Sequence, residues 1–176
     1  EFIFHLAAQP LVLESYKEPM DTFSINIMGT ANILEALRKS DSETVFINFT
    51  SDKCYENKEI DYSYNENDKL GGHDPYSASK ACSEIITKSF RESFFENKEK
   101  QISISTIRAG NVIGGGDWAD NRLIPDCMRQ LDKKQKVIIR NPKSIRPWQH
   151  VFEPISGMLL LAFHMKKNPS KFNESW

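Results

Sequence analysis

The residues with the clearest chemical potential are a polar triplet and a tyrosine/lysine pair. Ser51, Asp52 and Lys53 follow a run of β-branched and aromatic residues, and Tyr76 and Lys80 stand farther along the chain. Residues four apart on a helix share a face, so the Lys80 ammonium is expected close to the Tyr76 phenol. A nearby positive charge and a helix N-terminus both favour phenolate and lower the pKa of the tyrosine. The spacing therefore predicts a general base that removes a proton from a hydroxyl group, alongside hydride transfer.

These residues must be positioned by an alternation of strands and helices. The predicted elements are strands at 1–5, 44–49 and 102–108 and helices at about 21–39 and 75–95. Asp74 suits the N-cap of the second helix and Pro75 its first position. This order predicts an α/β fold, a right-handed parallel sheet covered by helices. Ligands of such sheets bind beyond the carboxyl ends of the strands, which is where the polar triplet lies.

The regular alternation stops after Gly116. The later predicted elements are a helix starting at 122–125, a short strand at 137–140 and a helix from 153 to about 166. We predict that residues 1–116 form the second half of a Rossmann-like doubly wound parallel sheet. Residues 117–176 are predicted to form part of a smaller mixed α/β substrate region, with one helix returning to the first domain.

A glycine-rich phosphate cradle is missing from the sequence. No GxGxxG turn stands between a strand and a helix. A doubly wound dinucleotide fold needs two mononucleotide halves, and only one is predicted here. The chain also starts at Glu1, within a predicted strand. We therefore expect the central fragment of a longer protein, inactive alone, whose Gly-rich N-terminal half and the rest of whose substrate region lie outside it.

Composition excludes several classes of function. The formal net charge of −1 gives no reason to expect nucleic acid as a partner. Cys54, Cys82 and Cys127 are odd in number and far apart, which favours a reducing, cytoplasmic location. No CxxC or HExxH supports a metal site. The longest apolar run, at 157–163, is too short to cross a membrane.

Several segments resemble the extended short-chain dehydrogenase/reductase family, and within it the nucleotide-sugar 4,6-dehydratases. The shared segments are 5–10, 26–30, 75–80 and 108–114. Those that resemble the branch acting on CDP-glucose are 50–57, 114–118, 122–126 and 146–151. Related branches acting on other nucleotide sugars are expected to carry glutamate where this chain has Lys53.

The resemblance implies a hydro-lyase that converts CDP-glucose to its 4-keto-6-deoxy product and water with tightly bound NAD. Such a reaction belongs to deoxysugar and O-antigen polysaccharide biosynthesis. By the same resemblance, Tyr76 takes the proton of the C4 hydroxyl, and Lys80 lowers the Tyr76 pKa and binds the nicotinamide ribose. Ser51 holds the C4 oxygen, Asp52 protonates the departing C6 hydroxyl, and Lys53 handles the C5 proton.

The resemblance also implies binding residues and a homodimer. The residues implied for NAD are Leu6, Ala7, Ala8, Gln9, Tyr76, Lys80, Ala109 and Gly110. Those implied for the sugar nucleotide are Ser51, Asn111, Leu123, Ile124, Arg140 and Arg146. The two arginines are assigned to the diphosphate, which suits the planar guanidinium fork. The homodimer is expected to form through the helices at about 21–39 and 75–95.

Two alternative functions remain open on the sequence. One is an NAD-dependent dehydratase or epimerase for another nucleotide sugar, against which Lys53 and the run at 115–118 argue. The other is a noncatalytic scaffold of the same fold that has lost the cofactor half. The intact set of Ser51, Asp52, Tyr76 and Lys80 argues against a scaffold, which has no need of it.

Overall fold

The sheet is built from three parallel strands. The computed structural model describes residues 1–58, 60–96, 102–169 and 171–176. Its strands β1 (Phe2–His5), β2 (Thr44–Phe49) and β3 (Ile102–Ile107) are hydrogen-bonded in the order β1-β2-β3. Phe2 lies opposite Val45, and Thr44 lies opposite Ile102. The parallel α/β arrangement predicted from the sequence is therefore confirmed.

The α-helices of the described residues include all the predicted ones, some of them interrupted. They are α1 (Val12–Lys17), α2 (Pro19–Phe23), α3 (Gly29–Lys39), α4 (Pro75–Phe90), α5 (Leu123–Asp132) and α6 (Phe152–Lys167). A π-helical turn at Ser24–Met28 joins α2 to α3, and another at Arg91–Phe95 ends α4. Helix α1 was not predicted, since so short a segment shows no periodicity. Within the described ranges, no helix is both long and apolar enough to span a bilayer.

The start of α4 is determined by local side chains. Asp74 accepts hydrogen bonds from the backbone N–H of Ser77 at 2.9 Å and from its hydroxyl at 2.6 Å, and Pro75 occupies the first turn. Gly72 packs so closely on this turn that a Cβ there would lie 2.5 Å from the backbone nitrogen of Ala78. The predicted N-cap is confirmed, and it places the first turn of α4 beside the strand ends.

Apolar side chains cover both faces of the sheet. The cluster on the first face contains Leu34, Leu37, Phe46, Phe95, Ile102 and Ile104. The cluster on the opposite face contains Val45, Ile47, Met158, Leu161, Ala162 and Met165. Phe46 and Ile47 point to opposite sides because successive residues of a strand alternate in direction. Helix α6 thus packs on the sheet face opposite α3.

The contact between α4 and the sheet is polar. The Asn48 side-chain amide donates to the hydroxyls of Ser83 at 2.9 Å and Thr87 at 3.0 Å. The Ser83 hydroxyl also lies 3.0 Å from that of Thr30, which is 3.2 Å from Nε2 of His5. All five residues are buried. We call this set the hydroxyl stripe, and it fixes the position of α4 along its own axis.

The region after the sheet differs from its prediction. Strands β4 (Asn111–Ile113) and β5 (Trp148–His150) form a parallel pair that was not predicted. The strand predicted at 137–140 is wrong, because that segment is an exposed loop. Its Ile138 is 69% exposed and donates its N–H to the side chain of Gln130 at 2.7 Å instead of to a strand. β-Branched composition favours a strand only where a partner strand completes the hydrogen bonding.

Candidate active site

A cavity of about 400 Å³ opens beyond the carboxyl ends of β2 and β3. The predicted site residues that line it are Ser51, Lys53, Tyr76, Ala109, Gly110, Asn111, Leu123 and Ile124. They come from the ends of two strands, the first turn of α4 and the first turn of α5. The cavity lies in the size range of small-molecule sites, about 300–1,000 Å³.

The polar triplet forms a capped turn directly after β2. The Ser51 hydroxyl accepts a hydrogen bond from the Lys53 backbone N–H at 3.2 Å and donates one to Oδ1 of Asp52 at 3.1 Å. The Lys53 ammonium reaches the same Oδ1 at 3.3 Å. The Asp52 backbone N–H donates to the Ala109 carbonyl at 3.0 Å, which ties the turn to the end of β3. The Ser51 hydroxyl and the Lys53 ammonium thus bind the same carboxylate oxygen of Asp52.

Tyr76 is buried beside this turn, with 8% of its surface exposed. Burial raises the pKa of its phenol, and the carboxylate of Asp52 raises it further. The Ser51 hydroxyl and the charge of Arg122 act in the opposite direction. The prediction of a lowered phenol pKa is therefore wrong for this structure, because desolvation outweighs the favourable neighbours.

Lys80 lies one turn further along α4 and is 7% exposed. Its ammonium donates to the Phe49 carbonyl at 3.3 Å. Burial lowers its pKa to about 8, although the carboxylate of Glu84 opposes this shift. Burying an ammonium group lowers the free energy of unfolding, so Lys80 does not stabilise the fold. Its position instead indicates that it binds a ligand.

We expect Lys80→Met to stabilise the protein. The pKa of Lys80 falls from 10.5 to about 8 on folding, so the unfolded chain binds this proton more tightly. Burying the ammonium therefore costs about 3 kcal/mol below pH 8, a cost that fades as the pH rises towards 10.5. The variant should gain this amount in free energy of unfolding near pH 7, measured by urea titration, and the gain should vanish near pH 10.5.

Lys88→Met is the matched control for that prediction. Lys88 lies on the same helix, but its side chain is 65% exposed and pairs with Glu92 at 3.7 Å. Its replacement should leave the free energy of unfolding nearly unchanged at every pH. A loss of stability in Lys80→Met at neutral pH would contradict the burial cost assigned to Lys80.

The turn predicted to contact NAD follows β1 and is tied to α4. The Gln9 backbone N–H donates to Oδ1 of Asn26 at 2.8 Å, and the Asn26 amide donates to the Gln9 carbonyl at 3.1 Å. Asn26 also donates to the Ser79 hydroxyl at 2.8 Å. Leu6, Ala7, Ala8 and Gln9 do not line the cavity. Their turn adjoins it through Pro10, which does.

The residues present fit a nicotinamide cofactor. Lys80 offers a buried ammonium whose acceptor among the described residues is the Phe49 carbonyl, so it can still donate to ribose hydroxyls. Asn111, on the cavity wall, has a buried Oδ1 without a hydrogen-bond partner in the described part of the chain. A buried acceptor of this kind calls for a donor from a ligand or water.

The two arginines predicted to bind the diphosphate lie outside the cavity lining. The Arg140 guanidinium donates to the side chain of Asn121 at 3.0 Å and to its carbonyl at 2.8 Å. Arg146 is exposed and donates to the Ile145 carbonyl at 3.1 Å. The structure therefore does not bring either guanidinium together with the other site residues.

The cavity contains charged residues that the sequence analysis missed. Arg122 lines it and pairs with Asp117, which also lines it, at 3.1 Å. Asn121 adopts a left-handed conformation with φ 65° directly before α5. From the sequence, Arg122 was assigned to a helix start and to a segment resembling the CDP-glucose branch, with no role in binding. The sequence did contain a signal for this turn. Asparagine is among the residues that adopt left-handed backbone most readily, and here it directly precedes an arginine.

Comparisons with known proteins place the chain in a family. The profile described as GDP-mannose 4,6 dehydratase matches residues 1–173. The chain is 51% identical to CDP-glucose 4,6-dehydratase of Salmonella typhimurium, with 100% of this chain and 50% of that protein covered. It is 35% identical to CDP-paratose 2-epimerase of Salmonella typhi, with 96% and 54% covered. The chain therefore belongs to the GDP-mannose 4,6-dehydratase family, and it spans about half the length of these curated relatives.

Solved structures share the fold. A double mutant of the dTDP-glucose 4,6-dehydratase from Streptomyces venezuelae, solved with NAD bound, matches with a TM-score of 0.80 at 22% identity. That match covers 92% of this chain and 48% of the other. The UDP-N-acetylglucosamine 4-epimerase of Methanobrevibacter ruminantium also has a TM-score of 0.80, at 23% identity, covering 99% and 53%. The fold is thus the Rossmann-like fold of nucleotide-sugar epimerases and dehydratases.

Proposed function

We propose that this protein is a hydro-lyase that dehydrates CDP-glucose to the 4-keto-6-deoxy sugar nucleotide with NAD as cofactor. The observation that carries the proposal is the grouping of Ser51, Lys53 and Tyr76 around one cavity at the strand ends, with Asp52 bound to Lys53 just outside the cavity lining. The 51% identity to a CDP-glucose 4,6-dehydratase supports the choice of substrate. The product suits deoxysugar biosynthesis, including that of O-antigen polysaccharides.

NAD, when bound, supplies the acceptor for the hydride of C4 and returns that hydride to C6. The proposed contacts from this chain are the turn at 6–9, the backbone at Ala109 and Gly110, and the ammonium of Lys80. Gly110 packs tightly, since a Cβ there would lie 2.7 Å from Pro147, so this wall of the cavity has a fixed shape. Small side chains let the flat faces of a cofactor approach the backbone closely.

Tyr76 and Ser51 act at the C4 hydroxyl. Burial raises the pKa of the Tyr76 phenol, and its reactive form is the phenolate, whose oxygen takes the C4 proton. The Ser51 hydroxyl hydrogen-bonds the C4 oxygen and holds it beside Tyr76. Both side chains line the same cavity and both are more than nine-tenths buried. Burial excludes water from this proton transfer, which strengthens each hydrogen bond that orients the sugar.

Asp52 and Lys53 act together at C5 and C6. Their ion pair at 3.3 Å has the proton on the lysine. If that proton moves to Asp52, the pair becomes a neutral carboxylic acid and a neutral amine. The amine of Lys53 then takes the C5 proton, and the acid of Asp52 gives its proton to the departing C6 hydroxyl, which leaves as water. The ion pair is then restored. When the hydride returns to C6, Lys53 gives its new proton back to C5, and the proton that Tyr76 took from the C4 hydroxyl replaces it, so water is the only net product besides the 4-keto-6-deoxy sugar nucleotide.

Asn111, Leu123 and Ile124 are proposed to hold the sugar nucleotide. The unpartnered Oδ1 of Asn111 accepts a hydrogen bond from a sugar hydroxyl, and the two aliphatic residues form an apolar wall at the start of α5. Arg122, in the same wall, supplies a guanidinium for the diphosphate. Arg140 and Arg146 could assist only after leaving the contacts described above.

The test is an assay of the full-length gene product with NAD and either CDP-glucose or dTDP-glucose. Product is detected as the 4-keto-6-deoxy nucleotide by mass spectrometry. We expect turnover of CDP-glucose at a kcat/KM clearly above that for dTDP-glucose. Equal turnover of both would refute the choice of nucleotide, and no turnover of either would refute the enzymatic function. An epimerised product that retains the C6 hydroxyl would identify an epimerase instead.

We also propose a cytoplasmic homodimer formed through the helical segments at about 21–39 and 75–95. The support is that Ile25 and Met28 in the first segment and Ile85 in the second expose apolar side chains. The three cysteines are all unpaired, in keeping with a reducing compartment. Sedimentation of Ile85→Glu should reveal a monomer, whereas Leu13→Glu on the exposed part of α1 should sediment like the parent. A dimer that survives Ile85→Glu would rule out this interface.

A further inference from the structure

Glu84 is a buried carboxylate that joins three elements behind the cavity. It lies on α4 one turn beyond Lys80 and is 2% exposed. Its Oε1 accepts a hydrogen bond from the Thr50 hydroxyl. Its Oε2 accepts from the Thr106 hydroxyl at 2.7 Å and from the Arg108 guanidinium at 3.0 Å. The charge is thus paired and multiply hydrogen-bonded, as a carboxylate without access to water must be.

The partners of Glu84 adjoin the proposed site on both sides. Thr50 directly precedes Ser51, the first residue of the catalytic turn, and its own backbone N–H donates to the Ile107 carbonyl at 2.8 Å. Arg108 directly precedes the Ala109 and Gly110 wall of the cavity. One carboxylate therefore links α4, which carries Tyr76 and Lys80, to the last residues of β2 and β3.

Arg108 extends the same network to the loop that covers the strand ends. Its guanidinium donates to the Tyr55 hydroxyl at 3.1 Å and to the Glu66 carbonyl at 2.9 Å, and it lies over the Tyr55 ring at 4.9 Å. The Arg108 and Glu84 side chains are 6% and 2% exposed. A planar guanidinium with several donors holds its hydrogen-bond partners in defined directions. We call the Arg108–Glu84 ion pair the joint, because it connects the elements that carry these partners.

We propose that Glu84 is a positioning residue that sets the distance between the Ser51–Lys53 turn and the Tyr76/Lys80 pair, through its hydrogen bond to Thr50. This inference rests on the proposed function, since both groups must meet one sugar. Glu84 touches no substrate and acts through Thr50. The Thr106 hydroxyl binds the same carboxylate but lies on β3 away from the cavity, so it stabilises the joint without setting that distance.

The pKa of Lys80 depends on its burial and on the charges around it. A change in this pKa therefore reports a change in the distance between the Ser51–Lys53 turn and the Tyr76/Lys80 pair. Glu84 on the same helix raises the pKa of Lys80, while burial lowers it to about 8. On strand β1, burial lowers the pKa of His5, and the charge of Lys80 lowers it further. Lys80 donates to the Phe49 carbonyl, one residue before Thr50. Movement of the catalytic turn would therefore change the access of water to this ammonium.

The experiment compares Thr50→Val with Thr106→Val in the full-length gene product with NAD and CDP-glucose. Both variants delete one buried hydroxyl from the same carboxylate at nearly constant volume. We expect similar losses of melting temperature in the two variants. Thr50→Val should also lower kcat by about 10- to 100-fold, because small displacements of reacting groups are costly. Its KM should change little, Thr106→Val should keep the parent kcat, and Thr50→Ser should restore it. Equal kcat values in the two valine variants would overturn the proposal.

A second measurement separates this proposal from the proposed function. The pH titration of Lys80 is followed by carbon-13 NMR of its ε-methylene group, assigned by the loss of the signal in Lys80→Met. In Thr50→Val the pKa should rise from about 8 towards 10.5, whereas Thr106→Val should titrate like the parent. A parent protein that turns over no nucleotide sugar would refute only the enzymatic function. Identical titrations in all three proteins would refute the positioning role.

Discussion

Tyr76→Phe is expected to lower kcat for dehydration of CDP-glucose by about 10²–10⁴-fold, the usual loss when a general acid–base group is removed. The variant keeps the buried ring and loses only the oxygen that takes the C4 proton. Because Tyr76 is 8% exposed, solvent has little access to the position of its hydroxyl and is not expected to replace it as a base. KM should change little, since Asn111, Leu123 and Ile124, which line the same cavity, are proposed to hold the sugar as well. Steady-state kinetics with mass-spectrometric detection of product measures both constants.

The control for this variant is Tyr64→Phe, which also removes one phenol oxygen that makes a hydrogen bond. The Tyr64 hydroxyl donates to the Glu56 carbonyl at 3.2 Å in the loop outside the cavity. Its loss should leave kcat unchanged. If Tyr76→Phe retained more than a small part of the parent kcat, Tyr76 could not be the group that takes the C4 proton.

Lys53→Met is expected to stop the reaction after the oxidation at C4. The proposed elimination needs the Lys53 amine to take the C5 proton, and its removal should slow that step by about 10²–10⁴-fold. The 4-keto sugar nucleotide that still carries its C6 hydroxyl should then accumulate in quenched samples. The loss of the ion pair itself should cost little stability, since the two side chains are 30% and 34% exposed and the pair is partly screened.

Lys53→Arg distinguishes a base from a fixed charge. Arginine can keep the ion pair with Asp52, but its guanidinium does not give up a proton in proteins. If Lys53 is the base, Lys53→Arg should be nearly as slow as Lys53→Met, and Lys58→Met, in the exposed loop beyond, should be as fast as the parent. Full activity of Lys53→Arg would show that the charge alone suffices and that another group takes the C5 proton.

The elements that carry the site could be predicted because their signals are local. The strand at 44–49 is rich in β-branched and aromatic residues, and Asp74 with Pro75 marks the start of α4 through hydrogen bonds within one turn. The pairing of β4 with β5 could not be predicted, because each strand has three residues and their partners lie far apart in the sequence. The strand predicted at 137–140 is wrong for a related reason. Its composition suits a strand, but no strand in the described part of the chain pairs with it.

The site itself was predictable in its residue types and less so in its electrostatics. Tyr76 and Lys80 lie on the same helix, as the spacing predicted, but the pKa of the phenol depends on burial, which spacing does not reveal. The role of Glu84 was equally hidden, since its partners Thr50, Thr106 and Arg108 gather only when the strands align. Arg122 faces the cavity because the turn at Asn121 directs it there.

The hydroxyl stripe has a consequence for how this protein can change over evolutionary time. An apolar contact between a helix and a sheet tolerates exchanges among leucine, isoleucine and methionine, since volume is nearly all that must be kept. At Asn48, Ser83 or Thr30 an apolar replacement leaves the partner unpaired in the interior, at a cost of about 1–3 kcal/mol. Substitutions here must therefore occur in compensating pairs or stay among small hydroxyl residues. The helix that presents Tyr76 and Lys80 is thus expected to drift more slowly than equally buried parts of the same domain.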